Sequence, residues 1–251
     1  MSSLPANFQS VRTKMAEAAL RSGRKVQDVT LVAVSKSVDN DTVLRAMAEC
    51  DQQLFGENRA DELVRKVDAC EEAATRSDES GNAALTTATT AIAAPTATAE
   101  FHFIGPLQTN KVRKVVGNAS LIHSVDSERL LRAIDARARL KEIVQPILIQ
   151  IDISKEAAKQ GIDSGDLDAL LHIANSELSH VQVNGLMTMA PFIAAEDVRW
   201  IFEDLRELRD RTDADGPHVA LRELSMGMTG DFEVAIEEGA TLVRVGTALF
   251  V

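Results

Sequence analysis

Lys36 ends an apolar, β-branched run, Leu31-Val32-Ala33-Val34-Ser35, that reads as a buried strand. A lysine in that place is expected in a dry setting, which penalises the ammonium and favours the neutral amine. A neutral amine is a nucleophile toward aldehydes and ketones. A lone lysine there also reads, more simply, as the point where a strand escapes to solvent. Two segments near the other end of the chain bear on the choice, Ser225-Met226-Gly227-Met228-Thr229-Gly230 and Arg244-Val245-Gly246-Thr247. Each offers a glycine for close backbone approach and a hydroxyl for hydrogen bonding. The first also opens a helix, whose exposed amides favour an anion. A single Gly-Thr pair is as well read as an ordinary turn.

The elements that must position these groups alternate along the chain. Phe8 to Arg21 form an amphipathic helix with Val11, Met15, Ala18 and Ala19 on one stripe. Strands are expected at Val29–Ser35, Gln53–Gly56, Phe101–Gly105, Leu121–Ser124, Pro146–Ile153, Val183–Met187, Glu223–Ser225 and Leu242–Val245. Helices are expected between them at Asp41–Cys50, Arg59–Glu72, Asn110–Val116, Ser127–Leu140, Asp166–Glu177, Ala195–Arg211 and Asp231–Glu238. This pattern predicts an α/β fold of the (β/α)8 TIM-barrel type with an extra N-terminal helix, formed by residues 1–251 as one domain. The chain ends soon after the eighth strand, so no full helix is expected there. An open doubly wound sheet is the alternative; the absence of Gly-x-Gly-x-x-Gly after the first strand speaks against it. Ala73 to Thr98, rich in Ala, Thr and Ser, lacks the bulky apolar residues that would offset its ordering entropy. It is expected to be a flexible surface insertion, or, through its alanines, an extension of the preceding helix.

In a barrel the loops after strands seven and eight commonly hold phosphate, and strand eight closes against strand one. Lys36 and the two glycine-hydroxyl loops then share one rim. An aldehyde joined to a phosphate spans that gap, and pyridoxal 5'-phosphate is such a molecule. Arg244 lies between the two ends, where its guanidinium could meet the pyridine nitrogen. Because guanidinium stays protonated, that nitrogen would remain unprotonated and the cofactor a weaker electron sink than one paired with a carboxylate.

Charge and composition narrow the partners. The net charge is −11, and the only short basic tract is Lys111-Val112-Arg113-Lys114, most simply a solvated helix face. A nucleic-acid partner is therefore not expected. No apolar run is long enough to span a bilayer, and no signal peptide precedes the first helix, so a cytoplasmic, membrane-free location is expected. Cys50 and Cys70 lie on predicted helices and match no metal-ligand spacing, so no metal is expected.

The motifs Ala33-Val34-Ser35-Lys36, Phe55-Gly56-Glu57-Asn58, His102-Phe103-Ile104-Gly105-Pro106-Leu107-Gln108-Thr109-Asn110-Lys111, Gly185-Leu186-Met187, Ser225-Met226-Gly227-Met228 and Arg244-Val245-Gly246-Thr247-Ala248-Leu249-Phe250 occur in this order. With them the chain closely resembles the YggS/PROSC family of pyridoxal-phosphate-binding homeostasis proteins, from about Val29 to Phe250. The resemblance implies a fold-type III barrel like the N-terminal domain of alanine racemase. It assigns Lys36 to the internal aldimine and Arg244 to the pyridine nitrogen, and puts Thr229, Gly246 and Thr247 at the phosphate. Asn58, His102 and Met187 fall among the residues lining the cofactor pocket. From the residues alone, Asn58 also reads as a helix cap, His102 as a packed polar residue, Met187 and Met189 as core, and Glu57 as structural. The chain departs from the family pattern at Thr229, where many relatives have serine, and at Asp152 and Ala158, which replace Asn and Ser after strand five. The long insertion is another departure. Lys159 with Gly161 matches the family's loop, with no role assigned.

Two functions compete. One is a carrier that holds the cofactor, shields its aldehyde and passes it to pyridoxal-phosphate-dependent apoenzymes, expected to be a monomer and not an enzyme. The other is a fold-type III enzyme such as an amino-acid racemase. Racemisation needs an acid and a base on opposite faces of the substrate carbon. In alanine racemases the partners are the aldimine lysine and a tyrosine, and this chain contains no tyrosine. A cofactor-free Schiff-base aldolase would use Lys36 but leaves the Arg244, Gly246 and Thr247 arrangement with only a substrate phosphate to explain it.

Overall fold

A computed structural model of the chain describes residues 3–80, 99–155, 160–212, 214 and 216–251. Eight parallel strands close into a barrel in chain order: β1 (Thr30–Val34), β2 (Leu54–Glu57), β3 (Glu100–Phe103), β4 (Leu121–Val125), β5 (Gln145–Gln150), β6 (Val181–Met187), β7 (Val219–Met228) and β8 (Leu242–Val245). Closure comes from β1 pairing with β8, where Thr30 faces Leu242 and Val32 faces Arg244. The helices are α1 (Leu4–Arg21), α2 (Asn40–Cys50), α3 (Ala60–Ser80), α4 (Val112–Val115), α5 (Glu128–Leu140), α6 (Leu167–Glu177), α7 (Arg199–Arg211), α8 (Phe232–Glu237) and α9 (Thr247–Phe250). None of the described helices is long and apolar enough to cross a membrane.

Strands of a parallel barrel are buried on both faces, which is why they read as continuous apolar runs. Their outward residues, such as Ala33, Phe55, Ile122, Ile147 and Val243, pack on the helices in one large core. Inside the barrel Val32, Leu121, Leu148, Met187 and Leu242 form a separate plug. α1 buries the predicted stripe, Val11, Met15, Ala18 and Ala19, together with Phe8. It starts one turn earlier than expected because Ser3 caps it, accepting from Ala6 N, and Pro5 occupies its first turn.

Further departures from the expected elements include three with physical reasons. α3 does not stop at Glu72 but continues to Ser80, since Ala73 and Ala74 favour helix. The rest of the predicted insertion lies outside the described residues. β7 runs over ten residues rather than three; its register against β6 and β8 shifts, so its apolar alternation is broken and hides its length. After β8 a single helical turn, α9, packs toward α1, with Phe250 edge-on to Phe8 at 5.7 Å between ring centroids.

Candidate functional site

A cavity of about 350 Å³ opens at the C-terminal rim of the barrel, where the loops after β1, β2, β3, β6, β7 and β8 converge. Lys36, Asn58, Thr229, Arg244, Gly246 and Thr247 all line it. Lys36 stands in the turn after β1, one residue beyond fully buried Ser35. It is exposed, not desolvated as the strand pattern suggests, because it projects from the turn into the open cavity.

The two glycine-hydroxyl loops form one wall. Gly246 N donates to Thr229 Oγ1 at 3.4 Å and so ties the loop after β8 to the loop after β7. Gly246 packs so closely on β1 that a Cβ there would lie 3.2 Å from Val34 O. Asp231 closes the loop after β7, its Oδ1 accepting from Met228 N at 2.6 Å. Burial raises the pKa of the Asp231 carboxyl, opposed by this amide and by the Arg244 charge.

Arg244 rises from β8 through the barrel interior and is 5% exposed. Nη1 donates to Ser225 Oγ at 2.6 Å and Nη2 to the Thr188 carbonyl at 3.0 Å. No carboxylate pairs with it among the described residues. Burial lowers its pKa to about 10, which keeps it a cation at neutral pH. A guanidinium carries five N–H donors, so three remain for a ligand. A buried cation without a paired anion is expensive, and Arg244 lines the cavity.

His102 and Met187 do not line the cavity. Met187 belongs to the apolar plug inside the barrel. His102, on β3, points inward to a second histidine that the sequence reading passed over. His123 Nε2 lies 2.9 Å from His102 Nδ1, and His123 Nδ1 lies 2.8 Å from Ser225 Oγ. Period-2 alternation set both histidines and Ser225 on inner faces. The available signal was a polar residue inside each of two otherwise apolar parallel strands. The cavity also takes in Gln150, Gln160, Met189 and Pro191, and Phe192 and Ile193 stand at it with exposures of 96% and 59%. Gln150 ends β5 and Met189 read as core, while Gln160, Pro191, Phe192 and Ile193 were missed because loop residues carry no periodicity. Asp152 is used locally, its Oδ1 accepting from Ser154 Oγ and Lys155 N, while Ala158 and Lys159 lie outside the described residues.

The residues fit a phosphorylated aromatic aldehyde. The cavity has the size of a small-cofactor site, with a primary amine at one wall, glycine and two threonine hydroxyls at a second, and a guanidinium with unused donors on its floor.

Residues 5–251 match the family described as alanine racemase, N-terminal domain. A pyridoxal phosphate homeostasis protein of Aquifex aeolicus is 39% identical over 241 residues, covering 96% of this chain and 94% of its own. The protein of that name from Escherichia coli strain K12 is 35% identical over 257 residues, covering 100% and 97%. Among solved structures, PipY of Synechococcus elongatus PCC7942 with PLP bound superposes with a TM-score of 0.68 at 33% identity, covering 94% of this chain and 100% of its own.

Proposed function

The chain belongs to the alanine racemase N-terminal domain family, alongside the pyridoxal phosphate homeostasis proteins, and on that premise we propose that it holds pyridoxal 5'-phosphate in the rim cavity and serves vitamin B6 homeostasis by buffering or delivering it. The observation that carries this reading is the convergence of Lys36, Arg244 and the tied loops of Thr229, Gly246 and Thr247 on one cavity.

When bound, the cofactor supplies an aldehyde that condenses reversibly with a primary amine. Lys36 presents that amine from the turn after β1. Arg244 donates an N–H to the ring nitrogen and, as a guanidinium, leaves it without a proton of its own. The Thr229 and Thr247 hydroxyls, with the amides of their loops, receive the phosphate oxygens. Asn58 offers its carboxamide from the opposite wall. Phe192 and Ile193 stand at the mouth, where apolar groups limit the access of water. His102 and Met187 support the floor from below.

The protein acts as a carrier rather than an enzyme, a cytoplasmic monomer whose recipients are pyridoxal-phosphate-dependent apoenzymes. The relatives are named for homeostasis and not for a reaction, and this chain has no tyrosine for a two-base mechanism. A weakly active fold-type III enzyme such as a racemase is the second reading, favoured by the family's fold.

The test is the visible absorbance of the purified protein with added cofactor, beside Lys36→Ala and Arg244→Glu. A band present in the parent, lost in Lys36→Ala and displaced or weakened in Arg244→Glu supports the assignment. No band in the parent overturns it, and a band that survives Lys36→Ala moves the attachment to another lysine.

A further inference from the structure

Beneath the cavity floor runs a buried chain of four side chains from four strands: Arg244, Ser225, His123 and His102. Its proton positions follow from a guanidinium that only donates, two neutral rings, and a Ser225 hydroxyl whose acceptor within reach among the described residues is His123 Nδ1. A guanidinium can only donate, so the Ser225 oxygen accepts from Nη1 and its own hydrogen is left to give. The neighbour that can take it is His123 Nδ1, at 2.8 Å. A neutral His123 then carries its proton on Nε2 and donates it to His102 Nδ1, at 2.9 Å. That leaves the proton of His102 on Nε2. Both rings are neutral: burial lowers the pKa of His102 to about 4 and that of His123 well below the usual histidine value, helped by the Arg244 charge.

We propose that Ser225 and His123, backed by His102, are positioning residues that lock the Arg244 guanidinium with its unused donors toward the cofactor ring, through a chain with one proton order. Nη1 is held by Ser225 and Nη2 by the Thr188 carbonyl, so the guanidinium plane is fixed at two points before any ligand arrives. Preorganised donors of this kind need no rearrangement on binding. Thr188 supplies a backbone carbonyl that side-chain substitution leaves in place, which makes Ser225 the adjustable half of the clamp. This inference rests on the cofactor reading for its purpose, but its proton order does not.

The proton order is tested in the ligand-free protein by nitrogen-15 NMR of the histidine rings at neutral pH. Both His102 and His123 should show a bare Nδ1 and a protonated Nε2. In Arg244→Met, where nothing obliges Ser225 to accept, His123 should become a mixture of tautomers. A proton on Nδ1 of His123 in the parent, or an unchanged pattern in Arg244→Met, overturns the inference. The clamp is tested by titrating pyridoxal 5'-phosphate into Ser225→Ala and Ser225→Thr. Ser225→Ala should still attach the cofactor, seen as a mass increment after borohydride reduction. Its affinity should fall roughly tenfold, as for one lost hydrogen bond to a charged group, and its visible band should shift. Ser225→Thr keeps the hydroxyl and should restore both. Parent-like affinity and spectrum in Ser225→Ala would refute the clamp. A parent that forms no band refutes the cofactor reading instead, with the nitrogen shifts still deciding the proton order.

Discussion

Lys66 and Glu57 form an ion pair, 1% and 0% exposed, directly behind the turn that carries Lys36. The Lys66 ammonium also donates to the Ser35 carbonyl, and the Ser35 hydroxyl donates to the same Glu57 oxygen at 2.6 Å. The end of β1, the end of β2 and the buried face of α3 are thereby joined through charge, one residue before the amine.

Removing one partner of such a pair leaves a buried charge uncompensated. Lys66→Met should therefore lower the unfolding free energy by about 3–5 kcal/mol. The double variant Lys66→Met with Glu57→Leu should recover most of that loss. Urea unfolding of the three proteins decides the matter; a single variant within 1 kcal/mol of the parent, on the order of a solvated surface pair, would mean that the charges are not desolvated.

Gly105 makes a second joint of the site. A Cβ there would sit 2.3 Å from the Asn58 carbonyl oxygen, and both residues line the cavity. Gly105→Ala must push the β2–α3 connection outward, at about 1–3 kcal/mol for an overpacked site. It should weaken cofactor binding because Asn58 moves with that connection. Thermal unfolding and a cofactor titration measured together check this, and unchanged values in both would show that the loop yields freely.

These joints mark how far the sequence could be read. The eight strands and the rim location of Lys36, Arg244 and the two glycine loops follow from apolar runs, turn residues and barrel closure. Lys66 was hidden because a charged residue on an amphipathic helix normally faces water; its burial needs Glu57, which lies on another element and shows no pairwise signal. Glu57 read as structural, and its ion pair is the physical content of that reading. His123 was hidden inside an apolar strand. His102 and Met187 were placed at the cavity by likeness to relatives, yet inner-face alternation drops both a layer below it. Lys36 is wetter than its strand suggests, since strand periodicity ends where the turn begins.

The neutral histidine pair makes acid stability legible. Burial lowers the pKa of His102 from 6.5 to about 4 and holds that of His123 well below its ordinary value. The unfolded chain takes up protons at both positions as pH drops through about 6.5, while the folded protein withholds one from His102 until about pH 4 and one from His123 until well below its ordinary value. The depressed values therefore add stability that is complete above about 6.5 and is lost as pH falls toward 4. At 1.36 kcal/mol per unit, His102 alone accounts for about 3 kcal/mol. Urea midpoints measured between pH 7 and 4.5 should fall for the parent and fall less steeply for His102→Phe. Equal slopes would show that the rings are already protonated or solvated in the fold.

The titratable residues lining the cavity, among those described, are Lys36, Asp231 and Arg244. Arg244 is a buried cation held at two points and is a poor base at any ordinary pH. Asp231 accepts from the Met228 amide within the loop that carries Thr229, which occupies it in holding the place proposed for a phosphate. Lys36 is then left as the one group suited to moving a proton at a substrate carbon, and inversion needs a second on the opposite face. With no tyrosine anywhere in the chain, incubation with cofactor and L-alanine should give no D-alanine above the rate of free cofactor. Exchange of the α-hydrogen for deuterium without inversion remains compatible with one base, so the assay should follow both. Racemisation at about 1 per second or faster, within the range of ordinary enzymes, would mean that a second group reaches the carbon and that the carrier reading is wrong.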